Sequence, residues 1–319
     1  MHKYLRISLI ISLSITNLFI PKEGIAFENN VVVAHRGAWK QQNLPENSIA
    51  ALKHAIVLKC AASEFDVRMT KDDVLIVNHD ADYHDLNIEE HNYKELARFQ
   101  LSNGESLPTL ENYILAGMNN NPSTGLVCEI KPSKSKARGQ LIAEKVVALV
   151  KKLKAEAYIS AYISFDYEVL LKVKQLDPQA VTQYLSGTKT PEELFNDGVS
   201  GLDYSINVLK KHPEWLKRAR SLNLILNAWT VNKKEDLDWL LAHEFDFITT
   251  NEPELLFERI EKSPVNDGYK LVWSDEFNYS GKPDKTKWTY NYGFIANQEK
   301  QYYTDSLKNV RAGRRVSSN

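Results

Sequence analysis

The segments His35-Arg36-Gly37, Pro45-Glu46-Asn47-Ser48, Glu64-Phe65-Asp66, His79-Asp80 and Glu129-Ile130-Lys131 follow one another along the chain. They supply two imidazoles, an arginine, a lysine and the carboxylates Glu64, Asp66 and Glu129. On a β-strand positions i and i+2 share a face, so Glu64 with Asp66, and Glu129 with Lys131, can each line one cavity from one strand. Three carboxylates suit a hard divalent cation, Ca²⁺ or Mg²⁺, better than zinc, which favours nitrogen and sulfur. Such a cation would polarise a phosphoryl oxygen while Arg36 and Lys131 answer the remaining charge. Cleaving a phosphodiester also requires one group to take a proton from the attacking oxygen and another to protonate the departing alkoxide. His35 and His79 are the natural pair, because imidazole titrates near neutrality.

Each of these residues also has a plainer reading. The histidines can be satisfied core groups, Glu64 and Asp66 a solvated strand face, and Glu129 with Lys131 a structural ion pair. The flanks Ala61-Ala62, Phe65 and Val67 are those of a buried strand, where inward carboxylates need a counter-charge or a metal. Trp229 ends a later apolar run and is either a wall of the site or core. Glu46, beside Pro45 in a loop, is expected to support the site from behind.

Positioning these groups requires a scaffold that gathers several strand ends. From Asn30 to Ile260 short β-branched runs alternate with helical patterns. The strands predicted are Val31–Ala34, Ala62–Arg68, Leu126–Ile130, Ile159–Ser164, Ala180–Leu185, Gly198–Tyr204, Leu224–Trp229 and Phe245–Thr250. Helices are predicted between them, with Pro191, Pro213 and Pro253 in first turns and Thr190 and Asn251 near caps. Eight such units predict an α/β fold closed as a (β/α)₈ barrel, whose working residues project from the C-terminal strand ends. A further strand, Val74–Asn78, reads as a hairpin extension of the second barrel strand, and the polar stretch from Asp80 to Pro108 reads as an insertion over the site.

The ends of the chain differ from this pattern. Residues 1–26 have a basic start, an uncharged apolar run from Ile7 to Ile20, and the small residues Gly24-Ile25-Ala26. They read as a secretory signal peptide, the run being shorter than the roughly 20 residues that span a bilayer. The barrel is predicted over 30–261, a linker over 262–268, and an aromatic, β-rich second module over 269–319. A formal net charge of −1 without a basic stripe gives no electrostatic grounds for a nucleic-acid partner or a membrane-surface one. Cys60 and Cys128 are not in metal-ligand spacing and are expected to be buried free thiols, with Cys128 facing a helix layer if Glu129 faces inward.

Taken with Thr70-Lys71-Asp72, Leu107-Pro108-Thr109-Leu110-Glu111 and Ala228-Trp229-Thr230-Val231-Asn232, the motifs resemble the glycerophosphodiester phosphodiesterase family over residues 31 to 260. The resemblance implies a barrel with a small insertion after its second strand and Ca²⁺ or Mg²⁺ at Glu64, Asp66 and Glu129. It also implies His35 and His79 as acid and base, and release of sn-glycerol 3-phosphate and an alcohol. On residue chemistry, Arg36 and Lys131 are expected to hold the phosphate and Trp229 to pack against the glycerol. The chain departs from the family pattern at Ala81-Asp82-Tyr83-His84-Asp85, where many members carry a leucine-aspartate-arginine-threonine stretch. Alternatives are a phospholipase-type activity on lysophospholipid or phosphoinositide head groups, or a carbohydrate-associated module without catalysis. The tail, with Tyr269-Lys-Leu-Val-Trp-Ser-Asp-Glu-Phe277 and Gln298-Glu-Lys-Gln-Tyr-Tyr-Thr304, resembles the opening strands of laminarinase-like family 16 glycoside hydrolases. The paired carboxylates of that family have no counterpart here, so the tail is expected to be an incomplete, non-catalytic module.

Overall fold

The structure, a computed structural model, describes residues 27–263, 272, 280–290, 292, 302 and 304–307. The predicted signal peptide therefore lies outside the described residues, as do most of the linker and the tail's Trp273, Phe277 and Phe294. The chain divides into two compact units, Met1–Asn266 and Asp267–Asn319.

The strands of the first unit are β1 (Val32–Ala34), β2 (Ala62–Met69), β3 (Leu75–Val77), β4 (Asp82–Tyr83), β5 (Leu86–Asn87), β6 (Gly125–Ile130), β7 (Ile159–Ser164), β8 (Thr182–Tyr184), β9 (Gly201–Ser205), β10 (Ile225–Trp229) and β11 (Phe247–Thr250). Its helices are α1 (Ile49–Val57), α2 (Tyr93–Leu96), α3 (Leu110–Met118), α4 (Lys136–Lys152), α5 (Tyr167–Leu176), α6 (Pro191–Asn196), α7 (Ile206–Lys211), α8 (Pro213–Ser221), α9 (Lys234–Ala242) and α10 (Pro253–Glu261). Eight parallel strands run in the order β1, β2, β6, β7, β8, β9, β10, β11, and β1 pairs with both β2 and β11, which closes the barrel.

Alternation along each strand sorts the side chains into two cores. Val33, Ala62, Val127, Ala161, Ile163 and Leu185 meet inside the barrel. Their neighbours face the helices: Phe65, Val67, Leu126, Cys128 and Ile130 pack with Leu52, Tyr113 and Val146 of α1, α3 and α4. Cys60 and Cys128 are buried and free, as expected. Ser48, Thr109, Ser135, Asp166 and Thr190 each accept a backbone N–H in the first turn of the following helix, and Pro191, Pro213 and Pro253 stand in first turns where no N–H is missed.

The insertion is a small ordered layer. β3 runs antiparallel to β2, with Val67 opposite Val77 and Met69 opposite Leu75. β4 and β5 form a hairpin whose two loop residues, His84 and Asp85, both have positive φ (50° and 61°), the geometry of a type I′ turn that matches strand twist. Ile76, Tyr83, Ile88, Leu96 and Leu107 give this layer a core of its own. The Glu105 carboxylate fixes it to the barrel by accepting the N–H groups of Ile49 (2.9 Å) and Ala50 (3.0 Å) at the start of α1, where the helix dipole favours negative charge.

In the second unit, Asp284 organises a turn: its carboxylate accepts Thr286 N–H (2.8 Å) and its carbonyl accepts Lys287 and Trp288 N–H. Lys282 pairs with Asp305. The predicted opening strands of the tail fall mainly on residues outside those described.

Candidate active site

At the C-terminal ends of the strands, His35, Arg36, Glu64, His79, Glu129, Lys131 and Trp229 line one cavity of about 90 Å³. The strand registers put them there. Asp66 on β2 lies directly abreast of Glu129 on β6, and Glu64, two residues before Asp66, shares its inward face. One oxygen from each of Glu64, Asp66 and Glu129 lies within 4.8 Å of the others. The Glu64 Oε1 is buried with no hydrogen-bond partner. An all-oxygen cluster with an orphaned carboxylate oxygen fits a hard divalent cation.

Crowding and burial set the charge states. Burial, with Asp66 and Glu129 nearby, pushes the Glu64 carboxyl well up. Burial and Asp66 push Glu129 up to about 7 against the pull of Lys131. Burial would also raise Asp66, but Lys131, the Asn47 amide, His79 and Arg36 outweigh it and hold the group below the ordinary range. Lys131 Nζ sits 2.7 Å from Glu129 and 3.1 Å from Asp66; these carboxylates overcome the effect of burial and raise its pKa.

The backbone around Arg36 is unusual. Arg36 and Asn47 have positive φ (56° and 59°), a conformation that costs a non-glycine residue energy and persists where surroundings enforce it. Here Arg36 N–H donates to Glu64 Oε2 (2.9 Å), and the Arg36 carbonyl accepts Asn47 N–H (2.9 Å). Gly37 has φ 84°, and a Cβ there would fall 2.7 Å from Ala51, so the tight turn into α1 requires glycine. The Arg36 guanidinium pairs with Glu46 and approaches Asp66 at 3.5 Å. Glu46 is absent from the cavity lining and holds Arg36 from the side. Asn47, buried, donates to Asp66 Oδ2 (2.8 Å) and accepts Asp66 N–H (3.2 Å).

His35 follows β1, and its N–H donates to the Thr250 carbonyl (2.9 Å). Its Nδ1 lies 2.6 Å from Asn251 Oδ1. An amide oxygen only accepts, so Nδ1 carries the proton and Nε2, 4.0 Å from Glu64, is free to take one. Burial, reinforced by Arg36, lowers the His35 pKa to about 4. His79, more exposed, places Nδ1 2.7 Å from Asp80 Oδ1. Across the cavity Trp229 packs edge-on against Phe165 (5.2 Å between centroids, 81°) and donates its indole N–H to the Asp203 carbonyl (2.8 Å).

Asn47, Phe165, Asp203 and Asn251 are the site residues that sequence reasoning did not single out. Asn251 was expected near the α10 cap; Glu252 takes that position and the Asn251 side chain turns to His35. Asn47 stood within the Pro45–Ser48 motif, and its value lies in tolerating positive φ.

Residues 35–255 match the model of the glycerophosphoryl diester phosphodiesterase family. The chain belongs to that family. Among curated relatives, a glycerophosphodiester phosphodiesterase of Caldanaerobacter subterraneus subsp. tengcongensis is 29% identical over 248 residues, 73% of this chain and 98% of the relative. The crystal structure of a glycerophosphodiester phosphodiesterase from Parabacteroides distasonis is 36% identical, superposes with a TM-score of 0.71, and covers 74% of this chain and 99% of that one. A phosphodiesterase from Oleispira antarctica, solved in complex with the product sn-glycerol-3-phosphate, shares the fold at 21% identity, with a TM-score of 0.62 over 73% of this chain and 97% of that one. This glycerophosphoryl diester phosphodiesterase family member is thus an enzyme on a closed (β/α)₈ barrel. A separate, short match links 59 residues, 18% of the chain, to 20% of a Rhodothermus marinus beta-glucanase at 49% identity.

Proposed function

We propose that the barrel hydrolyses glycerophosphodiesters to sn-glycerol 3-phosphate and an alcohol, with Ca²⁺ or Mg²⁺ held by Glu64, Asp66 and Glu129. The observation that carries this reading is the single cavity where two imidazoles face a three-carboxylate cluster flanked by Arg36 and Lys131. A bound divalent cation supplies Lewis-acid polarisation of a phosphoryl oxygen. Arg36 and Lys131 neutralise the diester, held in place by Glu46, Asp66 and Glu129. His35, with its tautomer fixed by Asn251, accepts the proton of the attacking oxygen at Nε2. His79, oriented at Nδ1 by the Asp80 carboxylate, protonates the leaving alkoxide. Trp229 and Phe165 cover the carbon face of the glycerol.

The leader of residues 1–26 supports export, and the beta-glucanase match supports reading the tail as a piece of a laminarinase-like module without the catalytic carboxylates. The test is turnover of glycerophosphocholine by the purified chain, read as sn-glycerol 3-phosphate released. Activity should vanish in chelator and return with Ca²⁺ or Mg²⁺. Full turnover after exhaustive chelation would refute the metal role, and no release of glycerol 3-phosphate with either ion would refute the substrate.

A further inference from the structure

Asp203 stands on the inward face of β9, fully buried, and is among the residues that line the same cavity as the two histidines. Neither carboxylate oxygen has a hydrogen-bond partner. Its inward neighbours are provided for: Asn227 donates to Gln183 (3.5 Å), Thr249 donates to Asn227 (3.3 Å), and Lys131 serves Glu129 and Asp66. A buried carboxyl without partners is costly to keep, and one that opens onto a substrate cavity can be satisfied by what enters.

The surroundings identify the entrant. Asp203 contributes no oxygen to the carboxylate cluster formed by Glu64, Asp66 and Glu129. A phosphate would be repelled by its carboxylate form and is drawn instead to Arg36 and Lys131. Besides the charged groups, the cavity that Asp203 lines has Ile163, Phe165, Leu185 and Trp229 with the hydroxyl residues Thr230 and Thr249, and the Trp229 indole is tied to the Asp203 carbonyl. Apolar rings beside a few hydrogen-bonding groups, of which the Asp203 carboxyl is the one with neither oxygen partnered, match a small polyol, with carbon against the rings and a hydroxyl on the carboxyl. Resting on the glycerophosphodiester reading above, we infer that Asp203 hydrogen-bonds a hydroxyl of the substrate's glycerol and is a specificity-determining residue for diesters that carry one.

The experiment compares Asp203→Leu and Asp203→Asn on glycerophosphocholine and on bis(p-nitrophenyl) phosphate, which has no hydroxyl, alongside calorimetric Ca²⁺ titration. Asp203→Leu should lower kcat/KM for glycerophosphocholine about 10- to 100-fold relative to its effect on the chromogenic diester, the range one hydrogen bond to a carboxyl supports. The loss should appear mainly in KM, Ca²⁺ affinity should hold, and Asp203→Asn, which keeps an acceptor and donors, should recover most of it. Equal losses on both substrates, a fall in Ca²⁺ affinity, or no loss would each overturn the assignment. If the leucine variant does not fold, inhibition of the unmodified enzyme decides: sn-glycerol 3-phosphate should bind at least about 10-fold tighter than n-propyl phosphate, and equal inhibition overturns the inference. An enzyme that cleaves the chromogenic diester but no glycerophosphodiester would instead remove the substrate reading on which Asp203's role depends.

Discussion

The two imidazoles take their roles from different partners. His35 is buried against an amide oxygen 216 residues away in sequence, whereas His79 meets the carboxylate of its neighbour Asp80. His35→Ala and His79→Ala are each expected to lower kcat about 10²- to 10⁴-fold, the usual contribution of a positioned acid or base. Release of sn-glycerol 3-phosphate at saturating Ca²⁺ measures it, and a wild-type rate would take that histidine out of the mechanism. Asn251 acts through His35, so Asn251→Ala should cut kcat while leaving KM nearly unchanged, and Asn251→Asp, which keeps an acceptor at Nδ1, should restore much of the rate. A KM effect without a kcat effect would make Asn251 a packing residue. The histidines and carboxylates were legible in the sequence because strand periodicity fixes which side chains share a face. Asn251 and Asp203 were not, because their meaning comes from contacts that only barrel closure creates.

Adjacent parallel strands explain why the carboxylates repel one another. The register that sets Asp66 beside Glu129 leaves Glu64 and Glu129 protonated more readily than free carboxyls. Glu129 titrates at about 7 in the folded chain against 4.5 normally, so between those values the folded state binds more protons than the unfolded one. Lowering the pH from 8 to about 6.5 should therefore stabilise the metal-free barrel. His35, depressed from 6.5 to about 4, acts with the opposite sign but only below about 6.5. Bound Ca²⁺ needs the same carboxylates ionised, so the thermal stabilisation it confers should shrink over that window. Melting temperatures with and without Ca²⁺ at each pH check this, a change of about 1 kcal/mol moving Tm by about 2–4 °C in a domain of this size. A metal-free Tm that falls steadily from pH 8 to 6.5 would contradict the crowded-carboxylate account. The strands themselves were read closely: β7 occupies its predicted span, and the other barrel strands differ by a few residues at their ends. α7 escaped notice because it is short and starts directly after β9. The insertion read as polar loop, since its β-hairpin depends on positive φ at His84 and Asp85, which residue types alone do not reveal.

The two units place different demands on the chain. In the first, β1 pairs on both sides, with β2 and with β11, and α10 completes the eighth unit by Glu261. No strand edge of the barrel is left for residues beyond that point to cover. All the residues assigned to binding and catalysis lie between His35 and Asn251, within the stretch that matches the family. Ending the chain after Ser263 is therefore expected to leave kcat/KM for glycerophosphocholine within about twofold and the barrel's Tm within about 2 °C, since surface changes away from the core seldom exceed about 0.5 kcal/mol. Side-by-side kinetics and melting of the full chain and the shortened one decide it. A loss of activity, or a melting temperature lower by several degrees, would show that the barrel depends on the tail despite being closed without it. An unchanged barrel would instead place any contribution of residues 264–319 outside phosphodiester chemistry.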